Sequence, residues 1–216
     1  MGDGRSGFEV HNEYPLLWAE AGRAFWEMKR PGGDFAIFNR SGYTGISAHT
    51  HIMWLGDQLV TFDRNDGLGS VPRLYLSAGL SGIALTHSDI GGYTSFGSSI
   101  RTYELWARWV TLETFTPFMR THHSGTPAPN LQWSSNEDTL NHYRKYGQWH
   151  QRLLPYWTQV VDEAVNKGAP AVRPVWWNEV DPSALFDVDD AFLVGNNLLV
   201  APIVEEGVTS RSVKLP

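Results

Sequence analysis

The segment HIMWLGDQ at residues 51–58 places a short apolar run directly against a Gly-Asp pair. Residues 52–55 are typical of a short buried strand, and Gly56 is expected to end it. Asp57 then lies at the carboxyl end of that strand, three residues after Trp54. An apolar aromatic wall disfavours the charged form of a neighbouring carboxyl group. The group then keeps its proton near neutral pH, as a general acid must. The alternative is that Asp57 caps a helix or starts a turn.

Short apolar strands alternate with helices on both sides of this segment. We predict strands at about residues 35–38, 52–55, 83–85 and 171–177, and helices at about 13–30, 70–80, 99–113 and 137–166. Pro155 is expected to kink or divide the last helix, and Pro174 to disturb pairing in the last strand. Such alternation is typical of a parallel α/β sheet. The chain therefore supplies about four of the eight strands of a closed barrel, or an open doubly wound sheet.

The pattern changes near residue 192. Residues 192–204 are rich in β-forming side chains around an Asn196-Asn197 turn, and residues 208–215 alternate between apolar and polar. We expect a separate β domain to begin here, which divides the chain into residues 1–190 and 191–216. The chain starts with a polar stub and stops within an expected strand, so we also expect it to be a fragment of a longer protein.

The composition limits the partners of the chain. It has 216 residues, a formal net charge of −6, no cysteine, and 13% aromatic residues with Trp 10. The negative charge disfavours nucleic acid and anionic membranes as partners, and no apolar run approaches the roughly 20 residues of a membrane span. The absence of cysteine excludes disulfides and thiolate metal sites, and fits a reducing, cytoplasmic location. Abundant aromatic rings suit a large core or stacking on the apolar faces of sugars.

Polar side chains gather where the predicted strands end, and in a barrel these ends would converge at one face. Arg40 offers a fixed fork of donors that suits sugar hydroxyls or a carboxylate, and its alternative is a salt bridge with a strand-end carboxylate. The candidate residues of this face are Arg40, Asp57, Asp89, Tyr93, Arg120 and His122.

The histidines do not form a recognisable metal motif. His49 and His51 share one face of a strand, but the spacing of these residues with His87 and Asp89 matches no metal-binding pattern. We therefore expect no metal ion and no cofactor, and interpret His87 and Asp89 as structural or substrate-binding residues. The Gly91-Gly92 pair could hold an anion through backbone donors, although a simple turn is the more common role of such a pair.

Three motifs, in order, carry a resemblance to a known family. The segments WLGD at residues 54–57, HSDIGGYT at 87–94 and FMRTH at 118–122 resemble the second half of the catalytic barrel of glycoside hydrolase family 31. The segment NLLVAP at residues 197–202 resembles the start of the β domain that follows that barrel. The resemblance covers nearly the whole chain. It implies a partial (β/α)8 TIM barrel, about its last four strands, followed by the start of a β-sandwich domain.

The resemblance also implies roles for individual residues. Asp57 matches the acid/base of a retaining α-glycosidase, Asp89 matches an acidic position after barrel strand seven, and the positions that line the sugar subsite are matched by Arg40, Trp54 and His122. Tyr93 stands where α-glucosidases of the family usually carry Phe. In this it resembles the sulfoquinovosidases of the family, whose matching Tyr belongs to the sulfonate-binding set. The implied partner is a small-molecule glycoside, such as an α-sulfoquinovoside. The alternatives are an α-glucosidase, an α-xylosidase, or an inactive sugar-binding fragment.

The nucleophile of the family has no counterpart in this sequence. The resemblance implies an Asp in a Trp-x-Ala-Asp-Phe-Gly-Glu-like motif that would fall just before residue 1, and no such motif is present. Retaining hydrolysis needs two carboxyl groups about 5–5.5 Å apart, one to attack and one to donate a proton. Asp3 lies in a polar stub with no strand before it, and we do not accept it as a substitute. The chain is therefore expected to hold only the proton donor.

Overall fold

The computed structural model describes residues 2, 4–97 and 99–216. Asp3, the acidic residue rejected above as a nucleophile, lies outside the described residues. The chain divides into two compact units, residues 1–54 and residues 55–216.

The first unit contains helices and a pair of parallel strands. Its elements are α1 (Gly7–Val10), α2 (Tyr14–Lys29), β1 (Phe38–Asn39), a 3-10 helix (Ile46–Ala48) and β2 (Ile52–Trp54). Pro15 lies in the first turn of α2, where its missing N–H costs no hydrogen bond. In the parallel pair, Phe38 lies opposite Ile52. The predicted helix at residues 13–30 and the predicted strand at 52–55 are confirmed to within about one residue.

The strand predicted at residues 35–38 is wrong in position and in burial. β1 begins only at Phe38, whose side chain is 48% exposed. The N–H of Ile37 donates to His51 Nδ1 (3.0 Å), and the hydroxyl of Thr50 donates to the carbonyl of Ile37 (3.2 Å). Because the His51 side chain takes the N–H of Ile37, while the main-chain N–H groups of His51 and Ile52 bond to the Ile37 carbonyl, the regular pairing starts one residue later.

Among the described residues, the second unit carries most of the helices and four short strands. In chain order its elements are a 3-10 helix (Leu68–Ser70), α3 (Val71–Leu80), β3 (Thr86–His87), α4 (Tyr103–Thr114), α5 (Glu137–Arg152), α6 (Leu154–Lys167), β4 (Val172–Pro174), a 3-10 helix (Ser183–Leu185), β5 (Phe192–Val194) and β6 (Leu198–Val200). The predicted helices at 70–80 and 137–166 are confirmed. The second is divided at Leu153, because Pro155 cannot donate a backbone hydrogen bond in mid-helix.

Two predicted boundaries in this unit are displaced. The third strand lies at Thr86–His87 rather than at residues 83–85, where the carbonyl of Ala84 accepts a bond from the N–H of Ala171 instead (2.9 Å). Helix α4 starts four residues later than predicted. Its first turn is capped by Thr102, whose hydroxyl accepts the N–H of Leu105 at 3.2 Å.

Parallel contacts connect the strand-end segments of the second unit. Isolated parallel bridges join Leu59 to Thr94 and Ile90 to Thr121. The structure is therefore mixed α/β with parallel pairing between these segments, as the alternation predicted.

An antiparallel sheet lies in the last third of the second unit. β4 pairs with β5, and β5 pairs with β6 across a turn at residues 195–197, which confirms the predicted Asn-Asn turn. Two predictions here are wrong. The strand predicted within residues 171–177 is present as β4, but the expected parallel pairing is wrong, since β4 pairs antiparallel at the edge of this sheet, where Pro174 breaks no ladder.

The second wrong prediction is the strand at residues 208–215. No strand forms in this described segment. Arg211 instead ties it down through its side chain, which donates to the carbonyls of Asp190 (3.1 Å) and Pro202 (2.9 Å). Alternation alone is not enough where no strand pairs with the segment.

Helix α4 supplies much of the interior of the second unit. Its fully buried apolar side chains are Leu105, Trp106, Trp109, Val110 and Leu112. Across the described residues, no helix combines the length and the apolar character needed to span a membrane.

Candidate active site

Main-chain hydrogen bonds bring three strand-end segments of the second unit side by side. The N–H of Leu55 donates to the carbonyl of His87 (3.0 Å), and the N–H of Tyr93 donates to the carbonyl of Gln58 (2.8 Å). The N–H of Ile90 donates to the carbonyl of Arg120 (3.0 Å). The segments that carry Asp57, Asp89 with Tyr93, and His122 are therefore neighbours, as the convergence of strand ends predicted.

The backbone around Asp57 is held on both sides. Gly56 before it has a φ of 94°, a left-handed conformation that favours glycine. The hydroxyl of Thr94 donates to the Asp57 carbonyl (2.9 Å), and the buried side-chain amide of Gln58 donates to the carbonyl of Leu55 (2.8 Å). The Asp57 carboxyl group is thus presented by a fixed turn and is only partly buried.

Asp89 lies beneath the surface of this region and pairs with Arg120. Its side chain is 0% exposed, and its Oδ1 accepts a hydrogen bond from the Arg120 guanidinium, which is 32% exposed. Burial raises the pKa of Asp89 to about 6, and the charge of Asp57 adds to the rise, although Arg120 opposes it. Within the described residues, Asp89 Oδ2 has no hydrogen-bond partner.

His87 lies on the same side of its segment as Asp89. Its Nε2 is 3.5 Å from the Arg120 guanidinium. Burial, together with the nearby Arg120 charge, lowers the pKa of His87 to about 4. His87 is therefore neutral near pH 7, and the cation at this point of the site is Arg120.

Tyr93 and His122 form the other side of the region. Their rings meet edge to face, with centroids 4.9 Å apart at 73°. The N–H of Ser124 donates to His122 Nδ1 (3.1 Å), so the neutral ring carries its proton on Nε2 and presents a donor. Burial, followed by the charges of Arg120 and Arg101, lowers the pKa of His122, which favours this neutral form.

Ser124 adopts a strained backbone to make that contact. Its φ is 77°, a left-handed conformation that is uncommon for residues other than glycine. The side-chain amide of Asn130 donates to Ser124 Oγ (2.8 Å) and to Ser95 Oγ (2.9 Å), which locks the turn. Such strain beside a candidate site is typical of functional regions.

A buried carboxyl network that was not predicted from the sequence lies in the second unit, next to the segment of His87 and Asp89. Glu113 accepts hydrogen bonds on Oε1 from the hydroxyls of Tyr75 (2.5 Å) and Ser88, and Ser88 in turn accepts from Trp109 Nε1 (2.8 Å). Burial raises the pKa of Glu113 to about 7. The sequence does indicate this network, because Glu113 follows Trp109 by four residues and so lies on the apolar face of the predicted helix.

In the first unit, Arg40 and Trp54 lie together. The Arg40 guanidinium carbon is 5.1 Å from the Trp54 ring centroid, a cation–π contact. Arg40 is exposed and lines a cavity of about 800 Å³, which is also lined by Tyr14, Trp18 and Asn39. Both predicted subsite residues of this unit are thus in one place.

Two family models match consecutive parts of the sequence. Residues 2–160 match the glycosyl hydrolases family 31 TIM-barrel domain, and residues 168–216 match the glycosyl hydrolase family 31 C-terminal domain. The chain belongs to glycosyl hydrolase family 31. Of the six site residues predicted from the resemblance, all fall within the matched barrel region of family 31.

Several family 31 proteins are similar over nearly the whole chain. Sulfoquinovosidases from Agrobacterium fabrum and Escherichia coli are 41% and 35% identical over 96% of this chain. A solved GH31 family sulfoquinovosidase from E. rectale, in complex with the aza-sugar inhibitor IFGSQ, has a TM-score of 0.93 and 38% identity over 99% of this chain and 32% of that chain. The resemblance to family 31, and to its sulfoquinovosidases, is confirmed. The chain spans 31% and 30% of the two curated relatives, about a third of their length.

Proposed function

We propose that the protein is a retaining α-glycosidase that hydrolyses α-sulfoquinovosides. The observation that carries the proposal is the hydrogen bond from the N–H of Tyr93 to the carbonyl of Gln58, the residue after Asp57. It places the main chain of Tyr93, the residue that carries the phenol, beside the segment that presents the candidate acid. The similarity to the sulfoquinovosidases of A. fabrum, E. coli and E. rectale supports the same substrate class.

Asp57 acts as the acid/base in this proposal. Its carboxyl group protonates the leaving oxygen of the glycoside, while a second carboxylate attacks the anomeric carbon and forms a glycosyl–enzyme intermediate. Asp57 then removes a proton from water, which releases the sugar with retained configuration. We place the second carboxylate outside residues 1–216, because no residue of the sequence matches the nucleophile motif.

Tyr93 and His122 bind the sugar. The Tyr93 phenol can donate a hydrogen bond to a sulfonate oxygen, and the neutral His122 ring donates from Nε2 to a ring hydroxyl. Because Nδ1 already accepts the N–H of Ser124, Nε2 is the ring atom that donates to this hydroxyl.

The proposal also gives a role to each of the remaining predicted residues, within its own unit. Arg40 offers its donor fork to ring hydroxyls and Trp54 offers an aromatic surface. Asp89 acts through Arg120, because its carboxyl is fully buried while a third of the Arg120 side chain is exposed. The charge of Asp89 thereby fixes the guanidinium that the substrate can reach.

The proposal includes the architecture of the chain. We place the last four or so strands of a (β/α)8 barrel in the first part of the chain and the start of a β-sandwich after it. We propose residues 1–190 for the barrel part and residues 191–216 for the start of the β domain, and the antiparallel pairing of β5 with β6 supports a β domain in the last part of the chain.

The test compares Asp57→Asn with wild type in the intact protein. A general acid contributes roughly 10²- to 10⁴-fold, so Asp57→Asn should reduce turnover of alkyl α-sulfoquinovosides on that scale. For aryl glycosides with good leaving groups, the rate of the glycosylation step should fall less, since their leaving oxygen needs less protonation. Asp162→Asn, an exposed position on α6, is the matched control and should keep wild-type kinetics.

Three outcomes contradict the proposal. Full activity of Asp57→Asn on alkyl glycosides would remove the acid role. Hydrolysis of p-nitrophenyl α-glucoside but not of the corresponding sulfoquinovoside would identify an α-glucosidase or α-xylosidase. Binding of the sulfoquinovoside without turnover by wild type would identify a sugar-binding protein.

A further inference from the structure

Arg101 is a buried cation that lies just before helix α4. Its side chain is 1% exposed, and its guanidinium donates to main-chain carbonyl groups. Nε donates to Gly91 (3.0 Å) and Nη2 donates to Gly92 (2.5 Å). Nη1 donates to His122 (2.9 Å) and to Leu131 (3.1 Å). One side chain therefore spans two separate segments of the candidate site.

Three of these acceptors, Gly91, Gly92 and His122, lie in the segments that carry Tyr93 and His122. Gly91 and Gly92 form the turn that leads directly into Tyr93, with φ of 87° and 78°. The space above Gly91 is filled by Arg101, since a Cβ at Gly91 would lie 2.4 Å from Arg101 Nε. The fork geometry of the guanidinium fixes both segments at once, which a flexible ammonium group could not do.

The main chain of Arg101 is tied to the same region. Its N–H donates to Asn130 Oδ1 (2.7 Å), and Asn130 donates to Ser124 Oγ, whose own N–H holds the His122 ring. Burial lowers the pKa of Arg101 to about 10, which leaves it charged near neutral pH. That charge also lowers the pKa of His122, so Arg101 favours the neutral ring.

We propose that Arg101 is a positioning residue that sets the Tyr93 phenol against the His122 ring and thereby determines selectivity for a sulfonated sugar. This inference rests on the proposed function, because it assigns the sulfonate to Tyr93. Arg101 itself does not touch the substrate. Its effect passes through the carbonyls of Gly91, Gly92 and His122.

The test is a double-mutant cycle of Arg101→Lys and Tyr93→Phe in the intact protein. Lysine keeps the charge but cannot hold several carbonyls in fixed geometry, so Arg101→Lys should raise KM for the sulfoquinovoside and lower kcat/KM by roughly 10- to 100-fold. In the Tyr93→Phe background, Arg101→Lys should lower kcat/KM much less, since the phenol hydroxyl that Arg101 positions is already absent. Arg108→Lys, which exchanges an arginine paired with Glu104 on α4, is the control and should leave kcat/KM unchanged.

An equal fold loss in both backgrounds would overturn the proposal, because it would show a general structural role. Absence of any loss would overturn it as well. If Arg101→Lys does not fold, Gly91→Ala perturbs the same contact from the other side and should show the same dependence on Tyr93.

Hydrogen exchange separates this inference from the proposed function. Arg101→Lys should speed exchange at the amides of Gly92, Tyr93 and Gly125, which donate within this region, whereas Arg108→Lys should not. If the wild-type protein hydrolyses no sulfoquinovoside and Arg101→Lys still speeds exchange at these amides, the proposed function and the selectivity role are rejected, but the positioning role is retained. Unchanged exchange would reject the positioning whatever the substrate.

Discussion

Replacing Glu113 by Gln should stabilise the protein, and the gain should grow as the pH rises. Oε1 of Glu113 accepts hydrogen bonds from the hydroxyls of Tyr75 and Ser88, whereas Oε2 lies 3.2 Å from Thr116 Oγ1. The single hydroxyl proton of Thr116 has a closer acceptor in the carbonyl of Phe118 (2.9 Å). A proton on Oε2 that is donated to Thr116 therefore satisfies every group. The amide of Gln can direct one N–H to Thr116 in the same way, and its second N–H has no counterpart in the protonated carboxyl group.

The magnitude follows from the pKa of Glu113, which burial raises from 4.5 to about 7. The unfolded chain releases this proton near pH 4.5, whereas the folded protein keeps it until about pH 7. The free energy of unfolding therefore falls as pH rises through this window, by roughly 3 kcal/mol in total. Gln cannot ionise and avoids the loss. The Tm of Glu113→Gln should exceed that of wild type by on the order of 10 °C at about pH 8, and by little at about pH 5.

Thermal melts followed by tryptophan fluorescence between about pH 5 and pH 8 measure this difference. Glu179→Gln, at an exposed position, is the control, and its Tm should run parallel to that of wild type at every pH. If Glu113→Gln were less stable than wild type by a constant amount across the range, Glu113 would be ionised in the fold. The assignment of its proton would then be refuted.

Two further predictions concern the main chain and the C-terminal sheet. Gly92→Ala should lower the free energy of unfolding by roughly 2 kcal/mol or more, because φ is 78° and the new Cβ would lie 2.7 Å from the carbonyl oxygen of Leu59. Urea unfolding measures this loss, and a variant as stable as wild type would contradict the prediction. Tyr156→Phe should lower the free energy of unfolding by about 1–2 kcal/mol, because the phenol donates to the buried carbonyl of Val194 (2.6 Å) and accepts the N–H of Asn197 (3.2 Å). A loss under a few tenths of a kcal/mol would show that water replaces the phenol hydroxyl.

Periodicity predicted the helices better than the strands. The helices near residues 13–30, 70–80 and 137–166 carry local signals, such as Pro15 and Pro155 in first turns and Gly168 at a C-terminus with φ of 67°. The strands contain only two or three residues each, so a pattern of apolar residues fixes their region but not their ends. Whether a strand pairs parallel or antiparallel depends on partners distant in sequence, which is why β4 was misassigned.

The exposed chemistry of the site was easier to predict than its support. Asp57, Tyr93 and His122 stand in motifs whose order carries the family resemblance. Arg101 lies in a segment without a motif, and its role depends on carbonyl groups 9 to 30 residues away in sequence. Main-chain acceptors have no residue type, so no sequence pattern marks them.

The short segment from His87 to Asp89 meets different surroundings at each step. His87 and Asp89 approach Arg120, whereas Ser88 between them bonds to Glu113. Because neighbouring side chains of an extended chain point in opposite directions, one inserted or deleted residue before Ser88 would exchange the two environments. A carboxylate would then lie beside the buried carboxyl group of Glu113, and a hydroxyl would replace it beside the arginine. The length of this segment is therefore under tighter constraint than its composition, and homologous chains should differ here by substitution rather than by insertion or deletion.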